Sequence, residues 1–291
     1  MPKGILKRYP GGLKVLHGGT RRGIKLNRPW QLPIKVDPTR CPFCKGEGKV
    51  IKTFPNGWLH LENLFTPHNY HTMVIPKTCW PGEKLKVLGG KEEIRAAFKN
   101  IASVVATRPG EVWLQAYIGA SAGQNISHLH YHIDEPVRLS GKETQQDHLD
   151  DFRILKNEQQ LIASLWKSPL VLFENWSFRV VVESIFRAGQ CFFMPPGSLP
   201  VEHPDWIGPL AGLLATTVAV CARAFKSEDQ GLAPDFQIFA KFEHGQFCYA
   251  SYLPILNHHG STESVGAILS AGPFIHPWSS EETLDHLKKF F

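Results

Sequence analysis

The sequence predicts an α+β protein in which helices pack on antiparallel sheets and one arrangement of elements occurs twice in tandem. Strand-like segments with alternating or continuous apolar residues lie in both halves of the chain. Each half also has one apolar helical segment among its strands, and the order of elements is the same in both. The 291 residues suffice for one large core or for two domains of ordinary size.

The first half is predicted to contain a hairpin, a helix and two further strands. Its predicted strands are residues 57–65, 71–76, 112–118 and 128–135. Residues 91–108 are predicted to be helical because their apolar side chains fall on one face: Ile94, Phe98, Ile101, Val104 and Val105. We assign residues 41–140 to this first repeat. Residues 1–40, rich in Pro, Gly and basic side chains, are expected to form an extended arm.

The second half repeats this order. A charged helix over residues 143–168 is expected to connect the halves, within a linker of residues 141–170, and residues 171–291 form the second repeat. Its predicted elements are strands at 178–185, 190–194, 235–242 and 247–253 and a helix at 206–226. His130 lies 54 residues after Pro76, and Tyr249 lies 54 residues after Pro195. An internal duplication accounts for both the order and the spacing.

Composition and charge limit the class of protein. Hydrophobic residues make up 43% and charged residues 20%, which excludes a disordered chain. No apolar run has the length of a membrane span, and the N-terminal residues lack a signal peptide, so a cytoplasmic location is expected. The net charge of +6 suits a phosphate-bearing substrate, although an ordinary solvated face explains it as well.

Six cysteines include one close pair, Cys41-Pro42-Phe43-Cys44. Because thiols stay reduced in the cytosol, metal binding is the better explanation for this pair than a disulfide. Two buried free thiols are the alternative. The pattern therefore predicts a metal site that includes Cys41 and Cys44.

The strongest motif is His128-Leu129-His130-Tyr131-His132. In a strand, alternate side chains point to one face, so the three imidazoles are predicted to line one surface. That arrangement suits metal binding or phosphate chemistry with a histidine nucleophile, and the alternative is a polar strand face. The glycine-rich loop 118–125 precedes the motif and offers backbone N–H groups to an anion, unless it is an ordinary turn.

Residues 119–132 (GASAGQNISHLHYH) resemble the motif of the histidine-triad superfamily, and residues 63–76 (NLFTPHNYHTMVIP) resemble its second conserved segment. Residues 27–30 (NRPW) and 37–46 (DPTRCPFCKG) are similar to the N-terminal part of the galactose-1-phosphate uridylyltransferase branch. That branch is a tandem duplication of the histidine-triad fold. The resemblance therefore implies the same duplicated fold here.

The resemblance also implies an active site. His130 is the nucleophile that takes up a nucleoside monophosphate, and His132 and Gln124 are further catalytic residues beside the phosphate. The remaining residues implied to bind substrate lie in the arm, the hairpin and the glycine-rich loop: Arg28, Asn63, His71, Gly123 and Asn125.

One structural zinc ion per chain follows from the same resemblance. Its implied ligands are three thiolates and one imidazole: Cys41, Cys44, Cys79 and His128. Cys79 stands where the family has a histidine, and a Cys3His set is suitable for tetrahedral zinc. The second repeat lacks a histidine cluster at the matching hairpin, so a second metal ion is not expected.

The resemblance implies transfer of a nucleoside monophosphate from a nucleotide sugar or dinucleotide to a phosphate or sugar-phosphate acceptor. His132 replaces the glutamine of the uridylyltransferases, which leaves phosphorolysis and hydrolysis open. A non-catalytic nucleotide-binding module is the third possibility. Nucleic acid and membrane partners are not expected, and a homodimer is compatible with the sequence.

Overall fold

The computed structural model describes residues 5–8, 14–17, 39, 41–63, 70–82, 85, 90–119, 122–124, 126–135, 158–183, 189–225, 233–256 and 279–290. Two predicted substrate-binding residues, Arg28 and Asn125, lie outside these ranges, as does most of the predicted N-terminal arm. Of the predicted linker helix, residues 143–157 also lie outside them.

The first half contains seven strands and one helix within the described residues. They are β1 (Ile5–Arg8), β2 (Lys14–His17), β3 (Val50–Thr53), β4 (Trp58–Glu62), β5 (His71–Pro76), α1 (Lys91–Val105), β6 (Glu111–Ile118) and β7 (Tyr131–Asp134). The rest of the described chain holds α2 (Glu158–Lys167), β8 (Val171–Glu174), β9 (Arg179–Val182), β10 (Cys191–Met194), β11 (Leu199–Pro200), a 3-10 turn (Pro204–Trp206), α3 (Ile207–Ala224), β12 (Asp235–Glu243), β13 (Gln246–Ile255) and α4 (Ser280–Lys288).

Eleven strands form one antiparallel sheet. Its order is β3-β4-β5-β7-β6-β12-β13-β10-β9-β8, with β11 paired to β13, while β1 and β2 form a separate two-stranded sheet. The two halves of the chain meet where β6 pairs with β12, over the register from Phe236–Ile118 to Glu243–Glu111. The α+β class with helices on an antiparallel sheet is confirmed, and the sheets of the two halves are continuous.

The strand order is mirrored about this junction. Counting outward from it, the first half runs β6, β7, β5, β4, β3 and the second half runs β12, β13, β10, β9, β8. Val74 pairs with Tyr131 in the first half, and Phe193 pairs with Ala250 in the second half. The number of residues between the two partners is the same in both pairs. This shared topology supports an internal duplication, and the boundaries at residues 41–140 and 171–291 remain predictions.

Helices α1, α3 and α4 cover one face of the sheet. α1 and α3 pack against each other over a core to which Phe98, Leu114, Leu210 and Tyr252 contribute fully or almost fully buried side chains. Burying each large apolar side chain contributes about 1.5–3 kcal/mol. Residues Pro204–Ala224 have the length and composition of a membrane span, but here they pack in this core.

The opposite face differs between the halves. In the second half, α2 covers it, with Leu165 against Phe192, Met194 and Tyr249. In the first half, the same face carries Met73 and a small apolar cluster with Phe43. His132, which pairs with Met73, and His71, two residues before Met73 in β5, lie on the same face.

One predicted strand begins later in the structure than expected. The predicted strand 128–135 is wrong at its start, because β7 begins at Tyr131. His128 instead makes an isolated bridge to Pro81, and the N–H of Leu129 donates to the carbonyl oxygen of Trp80 at 2.8 Å. The chain therefore pairs with the loop after β5 before it joins the sheet.

Candidate active site and metal centre

His130 is held in a single ring orientation just before β7. Its Nδ1 lies 2.7 Å from the carbonyl oxygen of His128, so Nδ1–H donates to that oxygen and Nε2 keeps the lone pair. Burial lowers the pKa of His130 to about 4, with the hydrogen bond to His128 opposing this effect. The imidazole is therefore neutral at pH 7, the form required of a nucleophile.

The ring of His128 is held through its Nε2 nitrogen, and its Nδ1 nitrogen faces the cysteines. Its Nε2–H donates to the carbonyl oxygen of Pro76 at 2.8 Å, which leaves the Nδ1 lone pair directed toward thiols. Nδ1 lies 3.5 Å from Sγ of Cys41 and 3.3 Å from Sγ of Cys44. Burial lowers the pKa of His128, so the ring is available as a neutral ligand.

The cysteine pair reaches His128 through a tight turn. The N–H of Lys45 donates to the carbonyl oxygen of Cys41 at 3.1 Å, and that of Glu47 donates to the carbonyl oxygen of Pro42 at 2.8 Å. This turn points both thiols inward. The donor atoms of Cys41, Cys44 and His128 all lie within 4.8 Å of one another.

These donors fit a zinc ion. Burial and the neighbouring thiols of Cys79 and Cys41 raise the pKa of Cys44, so a cation is needed to favour its thiolate. Two sulfurs and one imidazole nitrogen are ligands that zinc prefers. Cys79 Sγ lies 2.9 Å from Cys44 Sγ but outside the compact three-residue set, so its role as fourth ligand remains a prediction.

Phe43 connects this centre to His130. Its ring packs edge-on against both imidazoles, with centroid distances of 5.6 Å to His128 and 5.6 Å to His130. The cysteine turn thus covers the two histidines and contributes to the burial that keeps them neutral.

Gln124 closes the glycine-rich loop. Its side-chain oxygen accepts from the N–H of Gly119 at 2.7 Å, and its amide nitrogen donates to the carbonyl oxygen of Ser127 at 3.2 Å. Both polar ends of the side chain thus fix the loop, and a contact of Gln124 with phosphate remains a prediction. Gly123 is exposed at a φ of 97°, a conformation that favours glycine and turns the backbone there.

Three other predicted residues come together beside His130. His71 Nε2 lies 2.8 Å from His132 Nδ1 and 2.9 Å from Asn63 Nδ2. The rings of His130 and His132 are 5.0 Å apart between centroids. The hairpin β4–β5 and the first residues of β7 therefore bring these three side chains together beside His130.

Three polar residues at this site were missed by the sequence analysis. Asp134 Oδ1 lies 3.1 Å from His71 Nδ1, and the amide of Gln115 donates to Asp134 Oδ2 at 3.1 Å. The Tyr117 hydroxyl donates to Gln115 Oε1. Asp134 stands two residues after His132, so the alternation of the strand was the signal that could have placed it on the same face.

No family model and no curated protein matches the chain at the level of sequence. Solved structures do match it. A GalT-like protein of Arabidopsis thaliana is 18% identical with a TM-score of 0.59, covering 98% of each chain. An ADP-glucose phosphorylase of the same plant, with bound ADP-glucose, is 17% identical with a TM-score of 0.58 and covers 99% of each.

A uridylyltransferase mutant superposes with a TM-score of 0.64 at 12% identity, over 98% of this chain and 97% of the other. At such identities the match establishes the architecture, which extends over nearly the whole length of these proteins. The mirrored strand order and these superpositions together show that the chain has the same fold as these GalT-like and uridylyltransferase structures.

Proposed function

We propose that the protein transfers a nucleoside monophosphate from a nucleotide sugar or dinucleotide to a phosphate or sugar-phosphate acceptor. The observation that carries this proposal is the bond from His130 Nδ1–H to the carbonyl oxygen of His128. That bond fixes the tautomer, and burial keeps the ring neutral. A buried neutral imidazole with a fixed tautomer is suited to covalent catalysis at phosphorus.

The reaction proceeds in two displacements. The Nε2 lone pair of His130 forms a P–N bond to the α-phosphorus, and the bond from phosphorus to the leaving oxygen breaks with its electron pair on that oxygen. An acceptor oxygen then attacks the same phosphorus, and the P–N electron pair returns to His130. Such chemistry depends mainly on positioning and on donors directed at the non-bridging oxygens.

The other residues bind and orient the substrate. We place Asn63 at the ribose and the backbone of Gly123 at the phosphate. The neighbouring Gln124 fixes this loop by accepting from the N–H of Gly119. Arg28 approaches the phosphates, as the resemblance implies, and Asn125, which stands where the family usually has serine, is a further substrate-binding residue. His71 and His132 lie beside the transferred group.

Zinc, when bound, supplies a structural crosslink. Cys41, Cys44 and His128 would hold it, with Cys79 as the fourth ligand. Because the carbonyl of His128 accepts from His130, a fixed His128 also fixes the nucleophile. All four ligands come from the protein, so no open position is left for substrate.

The test uses a panel of UDP-glucose, UDP-galactose, ADP-glucose and diadenosine tetraphosphate. Each is incubated with the protein, and the intact mass is measured for an added nucleoside monophosphate. We expect an adduct on the wild type and none on His130→Ala. Absence of both adduct and turnover, with nucleotide binding retained, would favour the binding module instead.

Hydrolysis is the second candidate, because His132 offers an N–H at the position where the uridylyltransferases carry glutamine. Product analysis with and without inorganic phosphate separates the two. Phosphorolysis yields a nucleoside diphosphate only when phosphate is present. Hydrolysis yields the monophosphate at the same rate in both conditions.

A further inference from the structure

A chain of polar side chains leads away from the reacting end of the site. It begins at His132 and continues through His71 and Asp134 to Gln115 and Tyr117. Its steps are 2.8 Å between the two imidazoles, 3.1 Å from His71 Nδ1 to Asp134 Oδ1, and 3.1 Å from Gln115 Nε2 to Asp134 Oδ2. Strands β5, β7 and β6 lie side by side and position all five residues.

Asp134 is the charged residue of this chain. It is 5% exposed and His71 is 6% exposed, so the carboxylate faces the imidazole away from bulk water. A buried carboxylate is costly unless it is paired and hydrogen-bonded. The amide of Gln115 supplies one hydrogen bond, and His71 lies at ion-pair distance, although not in the line of a straight hydrogen bond.

These contacts determine where the protons of the two imidazoles lie. A carboxylate attracts an N–H and repels a lone pair, so His71 carries its proton on Nδ1, beside Asp134. The lone pair of its Nε2 then accepts Nδ1–H of His132 at 2.8 Å. This leaves Nε2 of His132 as the nitrogen that gains or loses a second proton.

The groups around His132 favour that second proton. Within the described residues, β5 contributes His71, β6 contributes Gln115 and Tyr117, β7 contributes Asp134, and the loop before β7 contributes His130. Asp134 is the acid among them. A negative charge relayed through His71 stabilises an imidazolium at His132, as the aspartate of a catalytic triad does for its histidine.

We propose that Asp134 is a positioning residue that keeps the His71–His132 pair as the proton donor for the leaving group. This inference rests on the transfer proposed above. As the Nε2 lone pair of His130 forms the P–N bond, the P–O bond breaks and its electron pair goes to the leaving oxygen. His132 Nε2–H passes its proton to that oxygen and becomes neutral.

The second displacement returns the proton. The acceptor's O–H gives its proton to His132 Nε2 while the oxygen attacks phosphorus, and the P–N electron pair returns to His130. The pair therefore ends each cycle as it began. General-acid catalysis has its largest effect on basic leaving oxygens and a smaller one on the phosphate leaving groups of nucleotide sugars and dinucleotides, so probes with basic leaving groups reveal it best.

The first experiment observes the histidines directly. Nitrogen NMR of 15N-histidine-labelled wild type should show His132 protonated on Nδ1 when neutral, and titrating above the ordinary histidine range. Asp134→Asn should lower that titration midpoint by at least about one pH unit. Glu135→Gln, the next residue along the chain, should not change it, because Glu135 pairs with Arg108. Wild-type His132 with its neutral proton on Nε2, or an ordinary titration, would overturn the proposal even if Asp134→Asn does not fold.

The second experiment measures turnover of aryl esters of adenosine and uridine 5′-monophosphate that carry phenols of increasing pKa. Asp134→Asn should lose at least about tenfold in kcat/KM with the most basic phenol and little with 4-nitrophenol. His132→Gln should show the same steepened dependence, and the double variant should lose no more than either single one. An equal loss with every phenol would indicate a merely structural role and overturn the proposal.

The two proposals fail in different ways. If wild type forms an adduct at His130 but Asp134→Asn changes neither the titration nor the leaving-group dependence, the role of Asp134 is wrong while nucleotidyl transfer stands. If the titration depends on Asp134 but no probe yields an adduct or turnover, the proposed function fails and the proton-donor role fails with it, while the coupling of Asp134 to His132 stands.

Discussion

His130 donates its Nδ1–H to the backbone carbonyl of His128 at 2.7 Å, while the ring of His128 faces the thiols of Cys41 and Cys44. One residue thus contributes its side chain to the candidate metal centre and its main chain to the candidate nucleophile. Disturbing the metal centre is therefore expected to disturb catalysis, although none of the proposed metal ligands is assigned to substrate binding.

Replacing the proposed nucleophile should abolish turnover without changing the stability of the fold. His130→Ala is expected to reduce kcat by at least about a thousandfold, because the covalent route is lost while the binding groups remain. Zinc content, thermal stability and nucleotide binding should stay close to those of wild type. Steady-state kinetics, calorimetry and elemental analysis measure these quantities. Near-normal turnover of the purified variant would show that His130 is not the nucleophile.

Removing a metal ligand should affect both stability and turnover. We expect about one zinc ion per chain, and Cys44→Ser should lose it together with several kcal/mol of stability, since structural zinc contributes to folding. Cys248→Ser is the control, because Cys248 lies in the second half, away from the metal centre. Atomic emission spectrometry measures the zinc content of both variants, and urea unfolding measures their stability. A fully folded wild type without zinc would contradict this prediction.

Acid should destabilise the fold through buried His60. Burial, followed by the charges of Arg108 and Lys52, lowers the pKa of His60 to about 4. Between that value and the ordinary 6.5, the unfolded chain binds a proton that the folded chain does not, so the free energy of unfolding falls as pH decreases from 6.5 toward 4. The loss between pH 7 and pH 5 is about 2 kcal/mol for this residue.

Urea unfolding at pH 7 and at pH 5 measures this effect. His60→Leu should show a smaller loss than wild type over that interval. His203→Gln, which alters an exposed histidine, should behave like wild type. An identical loss in His60→Leu and wild type would indicate that other groups account for the acid sensitivity.

Gly119 should tolerate no side chain. It adopts a φ of 95°, and a Cβ there would lie 2.0 Å from a carboxylate oxygen of Asp235. Gly119→Ala is therefore expected to cost both backbone strain and a steric clash, about 2–4 kcal/mol in total. Gly57→Ala is the matched control, because Gly57 has a φ of 79° with nothing within 4 Å of its Cβ position. Equal destabilisation of the two variants, measured in urea, would show that the clash relaxes at no cost.

The sequence by itself predicted the elements whose periodicity is strong. Strand β5 was predicted at 71–76 and occupies those residues, and α1 and α3 lie within the predicted 91–108 and 206–226. Short elements were missed, since four residues such as Val50–Thr53 carry too little periodicity to stand out. The helix at Ser280–Lys288 was also missed, although its capping box, Ser279 with Glu282, is visible in the sequence.

The sequence by itself also determined the His-x-His-x-His motif, the cysteine pair and the matched spacings, because these are residue identities and intervals along one chain. The tertiary structure alone decided which atoms of these residues meet. The bond from His130 to the His128 carbonyl, the Pro81–His128 bridge and the approach of Asp134 to His71 depend on backbone pairings between distant segments. Ring orientation and burial then set the protonation of the imidazoles, and both arise only when β5, β6 and β7 lie side by side.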